Sequence, residues 1–306
     1  MIDDFAWIFQ HSYEVIVEFV LRNSLFAIRF GRGGGEPTSE INLSYFKNIK
    51  SVLEQIGLFI ITLPVLLAYP LLMILAIEGD IIRNPRRTVN VEDQWFFING
   101  VMVNENWLDE NCRYLEERFS TGVTGILNRS YGLFWDLLEA IFERSFNIET
   151  IPVHLTTRVL LPVLRDNNVK KVRLIAHSQG TIVAYLVMQK LFVELSSTRE
   201  QNCLKKLEVY TFANVCRDFI NPGGLVKRIE HYVNLRDPVA RLGILNGGAG
   251  NRIEGDIFIN ERRNGGKGHL FNSFYSLNSE DYNASPGTSP SLLSLPGRVT
   301  RLPINI

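Results

Sequence analysis

The chain has 306 residues, with 32 Lys+Arg set against 32 Asp+Glu, a balance that excludes the strongly basic footprint of a nucleic-acid-binding protein. With 46% hydrophobic and 21% charged residues, the bulk of the chain is neither disordered nor fibrous. Cys112, Cys203 and Cys216 form no CxxC pair, and GxGxxG and GxxxxGK[ST] are both absent, so no disulfide framework, metal site or cofactor is expected.

Residues 1–30 mix apolar and charged positions at a spacing compatible with amphipathic helix, and the glycines around Gly31–Gly35 read as a loop. Ile56–Ile77 then runs 22 residues without a charge, and 18 of them are apolar. A bilayer core requires a span of about 20 such residues, so the N-terminal segment 1–88 is expected to be helical, with a membrane anchor at 56–77 that spans the bilayer or lies on it. Pro64 and Pro70 keep open the alternative of a broken apolar hairpin packed on the rest of the protein. The stretch starts too late and is too long for a cleaved signal peptide, which favours an intracellular membrane over secretion.

From Val91 onward short apolar runs alternate with amphipathic segments. Strands are predicted at Gln94–Ile98, Gly122–Leu127, Lys171–Ala176, Leu207–Ala213, Ile229–Leu235 and Asp256–Asn260. Helices are predicted at Asn106–Phe119, Leu133–Phe146, Leu155–Arg165, Gln179–Leu195 and Leu270–Leu277. Strands alternating with helices of ten or more residues indicate an α/β domain over 89–278 with a mainly parallel sheet flanked by helices. The Ser/Pro/Gly-rich tail, 279–306, is predicted to be extended or mobile.

The chemically informative pentapeptide is Ala176-His177-Ser178-Gln179-Gly180, between the strand KVRLIA and a long helix. A nucleophile elbow needs this strand–turn–helix context, with small residues two before and two after the serine. Such a serine requires a base and an orienting carboxylate. Of five histidines, His11 and His154 precede the serine and His177 adjoins it. His231 falls inside a predicted strand, where a packed histidine is the ordinary reading. His269, in the loop after the last strand, is the expected base. Asp237, just after the strand Ile229–Leu235, is the expected acid, with Asp218 in reserve. For an oxyanion hole the expected donors are the N–H of Gln179 and the N–H of Val101, which follows Asn99-Gly100 at the end of an early strand. Gly100 allows close backbone approach, and the Asn99 side chain is a further contributor.

The segments FFINGV, VRLIAHSQG, RDPV after a strand and GHL before the last helix make residues 91–277 resemble an α/β-hydrolase of the lipase/esterase type, similar to the lipase-like serine hydrolases of filamentous fungi. The resemblance implies the α/β-hydrolase fold, with Ser178 as nucleophile, Asp237 as acid and His269 as base. It further implies a small-molecule or lipid-like ester substrate. Ala176 stands where G-x-S-x-G has its first glycine, and Asn99 stands where such lipases usually carry histidine. The expectation is a membrane-associated serine hydrolase acting on an ester, thioester or lactone. An acyltransferase or cyclase on the same fold, or a non-catalytic scaffold, is the alternative.

Overall fold

The computed structural model describes residues 47–51, 53–54, 82–101, 103–128, 151–195, 197–246, 251–261, 268–283 and 288–297. The stretch 56–77, the amphipathic residues 1–30 and the predicted helix 133–146 lie outside the described residues. Among the described residues no helix is long and apolar enough to cross a membrane.

A seven-stranded sheet organises the rest. Its strands are β1 (Ile82–Arg83), β2 (Asp93–Ile98), β3 (Val123–Ile126), β4 (Lys171–His177), β5 (Leu207–Phe212), β7 (Arg228–Asn234) and β9 (Asp256–Asn260), in the order β1-β3-β2-β4-β5-β7-β9. All neighbours pair in parallel except β1, which adds to β3 antiparallel at one edge. Two short strands, β6 (Asp218–Phe219) and β8 (Arg252–Ile253), pair separately.

The runs WFFI, VRLIA and LEVYTF are buried almost throughout. A parallel strand covered on both faces has this near-continuous apolar character. Side chains alternate across the sheet. Phe96, Ile98, Leu174 and Ala176 meet α2 (Ile151–Arg165) and α3 (Gly180–Glu194) on one face. Trp95, Phe97, Ile175, Tyr210 and Phe212 meet α1 (Glu105–Phe119) on the other. Helix α3 is apolar nearly all round, as suits a helix with little solvent contact; α1 is started by Asn104, whose side chain accepts from the Trp107 N–H at 3.1 Å. Among the described residues, 47–51 and 53–54 are also helical, and three further helices are single turns: α4 (Thr198–Gln201), α5 (Pro238–Leu242) and α6 (Phe271–Phe274).

Two expectations change here. The predicted helix Leu270–Leu277 shrinks to α6, because the chain turns extended at Tyr275 (φ −92°, ψ 112°). Part of the tail expected to be extended or mobile is packed onto the sheet, around Leu292 and Leu293. Leu292 and Leu293 are buried beside Tyr210 and Tyr232. Glu230, wholly buried on β7, accepts from the Ser291 hydroxyl and N–H at 2.5 and 3.0 Å, the Leu292 N–H at 3.3 Å and the Tyr232 hydroxyl at 2.5 Å. The Arg118 guanidinium donates to the carbonyls of Leu277, Leu293 and Leu295. Leucine side chains and carbonyls that two buried charges require hold this segment, whatever its Ser/Pro/Gly content suggests.

The topology places one crevice in particular. From β2 the chain moves to β3 on one side, then returns to β4 on the other. The strand order reverses between β2 and β4, and open α/β sheets place their ligand sites at the carboxyl ends of such a switch point.

Candidate active site

At the carboxyl end of β4, the central strand, Ser178 has φ 57°. A non-glycine residue in the left-handed region costs about 1–2 kcal/mol, so the surroundings must hold it there. The Ser178 N–H donates to the Phe212 carbonyl at 3.0 Å, and the Ser178 carbonyl accepts from the Thr181 N–H at 2.9 Å and its hydroxyl at 2.7 Å. Gly180 opens α3 against the end of β2, where a Cβ would stand 2.6 Å from the Asn99 carbonyl oxygen and 2.7 Å from that of Ile98. The turn therefore aims the N-terminus of a fifteen-residue helix at the serine, and that end of a helix favours negative charge.

Asp237 and His269 arrive from β7 and β9, the two strands beyond β5. Asp237 caps α5 after β7, with one carboxylate oxygen accepting from the Val239 N–H at 2.8 Å. His269 follows β9. The Asp237 carboxylate accepts from His269 Nδ1–H at 2.9 and 3.1 Å, and the Ser178 hydroxyl donates to His269 Nε2 at 2.8 Å. A carboxylate only accepts, which fixes the proton on Nδ1 and leaves Nε2 to receive the hydroxyl. Gly268 precedes the histidine at φ 90°, with the Phe274 ring 2.6 Å from where a Cβ would be. Asp237 is fully buried, and Ser178 and His269 are each 2% exposed.

Two further side chains brace this chain of bonds. The Tyr275 hydroxyl donates to Asp237 Oδ2 at 2.6 Å. Burial, then the neighbouring Asp237 charge, raises that phenol well above the usual tyrosine range. His177 points away from the serine, and its Nε2–H donates to the His269 carbonyl at 2.8 Å. Its ring lies 4.7 Å from the His269 ring, and burial followed by the proximity of His269 pushes it well below the ordinary histidine range. The sequence reading assigned no role to Tyr275 and set His177 aside as a base. Only its place before the serine could have pointed to His177, and a lone tyrosine in an apolar run gave no signal at all.

The loop after β2 passes the serine closely: a Cβ on Gly100 would lie 2.4 Å from Ser178 Cβ and 2.9 Å from Oγ. Val101, half-buried, follows it. The Asn99 side chain is engaged elsewhere. Its amide donates to the carbonyls of Gly100 and Asn128, both at 2.8 Å, and its oxygen accepts from the Asn128 N–H. One amide hydrogen joins the ends of β2 and β3 and the other bonds the adjacent Gly100 carbonyl, so both donors expected of the Asn99 side chain are already engaged. The Gln179 side chain is bonded to Asn128 Nδ2 at 2.9 Å, and its expected part concerns its backbone alone.

The competing residues lie apart. His231 Nδ1 accepts from the Thr211 hydroxyl at 2.6 Å and the Asn214 amide at 3.1 Å, while its Nε2–H donates to the Glu254 carbonyl at 3.1 Å. Both nitrogens are used, and burial lowers its pKa to about 4. Asp218 is exposed on β6 and faces Arg252. His154 is exposed on α2. Among the described residues, no three His, Cys, Asp or Glu side chains are grouped to hold a metal ion. No protein-family model matches this chain, and no curated protein matches it either.

Proposed function

We propose that this protein is a serine hydrolase of the α/β-hydrolase kind, cleaving a carboxylic ester, thioester or lactone. The observation that supports it most directly is the unbroken series of hydrogen bonds from the Ser178 hydroxyl through His269 to Asp237, with the serine in a left-handed turn at the end of the central strand. In this reading His269 Nε2 takes the hydroxyl proton as Oγ attacks the carbonyl carbon. Asp237 holds the imidazole in the receptive tautomer and offsets the imidazolium charge. The N–H groups of Gln179 and Val101, with the dipole of α3, receive the oxyanion. The imidazolium returns its proton to the departing alcohol or thiol, leaving an acyl-serine. A water molecule, deprotonated by the same histidine, then releases the acid and restores the hydroxyl. The membrane part of the proposal rests on the uncharged stretch 56–77.

A fluorophosphonate, which serine attacks with loss of fluoride, tests the chemistry without knowledge of the substrate. Detergent-extracted full-length protein is expected to label, and Ser178→Ala is not; equal labelling of both ends the proposal. Hydrolysis of esters of graded acyl length then gives the substrate class. Sedimentation of the detergent-free protein with vesicles tests the membrane part, which fails if the protein stays monomeric in the supernatant.

A further inference from the structure

We propose that Tyr275 is a positioning residue of this site, acting through Asp237 to set how strongly the carboxylate holds the imidazole of His269. The inference rests on the serine hydrolase reading and goes beyond it to a fourth group. Asp237 Oδ2 is the carboxylate oxygen nearer His269 Nδ1, at 2.9 Å, and it is also the one that takes the Tyr275 hydroxyl, at 2.6 Å. One oxygen is thus shared between the base and the phenol, whereas Oδ1 is shared between the Val239 N–H and a longer contact to His269. Among the described residues the carboxylate accepts from three neutral donors, the Tyr275 hydroxyl, the His269 Nδ1–H and the Val239 N–H, and the phenol bond is the shortest.

The phenol is placed rather than adventitious. The Tyr275 N–H donates to the Phe271 carbonyl at 2.9 Å, its own carbonyl accepts from the Tyr114 hydroxyl at 3.2 Å, and Asn234 donates to the Phe274 carbonyl at 3.1 Å. These bonds fix the backbone where α6 ends, and the extended turn at 275 carries the ring under the site. There it meets Phe212 edge-on at 5.8 Å and His177 at 5.7 Å. A wholly buried hydroxyl among aromatic rings must have polar partners; this one accepts from the Asn234 N–H at 3.5 Å and donates to the carboxylate that faces the base.

Among the described residues, the titratable groups that face His269, Asp237 and Tyr275 include His177 from the end of β4, Tyr282 from beyond α6 and Tyr114 from α1. Burial and the Asp237 charge keep Tyr275 protonated, and burial keeps His177 neutral. A hydrogen bond donated to a carboxylate draws negative charge toward the donor. Without the phenol, more of that charge faces the imidazole, the imidazolium is held better, and a higher pH is needed to free Nε2.

The test is the pH dependence of the fluorophosphonate labelling rate of the full-length protein. In Tyr275→Phe the acid limb is expected to move up by roughly half a pH unit, with a several-fold lower plateau as the carboxylate loses a restraint. Replacing Tyr275 by 3-fluorotyrosine keeps the shape and makes the phenol a stronger donor, so the limb is expected to move down. If Tyr275→Phe does not fold, the fluorotyrosine protein alone decides. A purely structural tyrosine would lower the plateau and leave the limb in place, and that result overturns the proposal. Wild-type protein that fails to label at any pH refutes the hydrolase reading instead. Wild-type labelling with a limb that neither variant moves refutes only the role of Tyr275.

Discussion

Replacing Gly100 by alanine tests whether the serine's position depends on the loop after β2. The added Cβ would lie 2.4 Å from Ser178 Cβ, 2.9 Å from Ser178 Oγ and 3.0 Å from the His177 carbonyl oxygen. Non-bonded carbons settle at about 3.5–4.0 Å, so loop and serine must part by roughly 1 Å. Neither side yields readily. The Gly100 carbonyl accepts from the Asn99 amide at 2.8 Å, and the serine is held through its own N–H and carbonyl to Phe212 and Thr181. A displacement of that size at a reacting group costs on the order of 100-fold in rate, while overpacking typically costs about 1–3 kcal/mol. Labelling rate and urea unfolding, measured on the same preparation, separate the two effects. The expected variant is folded, modestly destabilised and slow to label. A Gly100→Ala protein that labels within about threefold of wild type would refute the reasoning, because no 1 Å displacement of Ser178 could then have occurred.

The same probe is expected to show strong loss in Asp237→Asn, whose amide cannot accept from His269 Nδ1–H through both atoms, and near-normal labelling in Asp218→Asn, on the separate β6–β8 pair; the reverse ranking would displace Asp237 as the acid. A second expectation concerns stability and pH. Burial lowers His231 from 6.5 to about 4, so as pH falls below 6.5 the unfolded chain takes up a proton that the folded protein refuses. That stability is fully present above pH 6.5 and is lost as pH falls toward 4, by about 3 kcal/mol for a shift of this size. Urea unfolding at pH 4.5 and 7.5 is expected to show a smaller pH-dependent loss in His231→Gln than in wild type, and parallel losses would refute the assignment.

The sheet was legible because its central strands are covered on both faces, so Phe96–Ile98, Val172–Ala176 and Leu207–Phe212 stand out as mainly apolar runs, interrupted by Arg173, Glu208 and Thr211, that are too short for helices. Ser178 was legible because an elbow has local requirements, a strand before it and a small residue after it. Asp237 and His269 could be proposed because each closely follows a strand. What escaped the sequence reading depends on contacts across long separations. Two-residue strands such as β1 carry no periodicity. The hydroxyl of Tyr275 meets its carboxylate only because Asn234 and Tyr114 stop α6 early. Asn99 looked available to a ligand, and the carbonyl and N–H of Asn128 that occupy it lie 29 residues away. Local composition also misjudged the segment after 288, since its burial answers charges on β7 and α1.

That last arrangement bears on how the chain can be made. Glu230 and Arg118 occupy buried positions in elements that precede their partners by 61 and 62 residues in one case and by up to 177 in the other. A ribosome releases the sheet before it releases residues 291–295. Until they emerge, a β7 already paired with its neighbours would bury a carboxylate lacking the Ser291 hydroxyl and two N–H donors, and α1 would bury a guanidinium lacking the carbonyls of Leu293 and Leu295. Charges left in that condition oppose closure of the domain. Folding of the sheet is thereby coupled to arrival of the 288–297 segment, and the full set of long-range contacts forms only after that segment has been made.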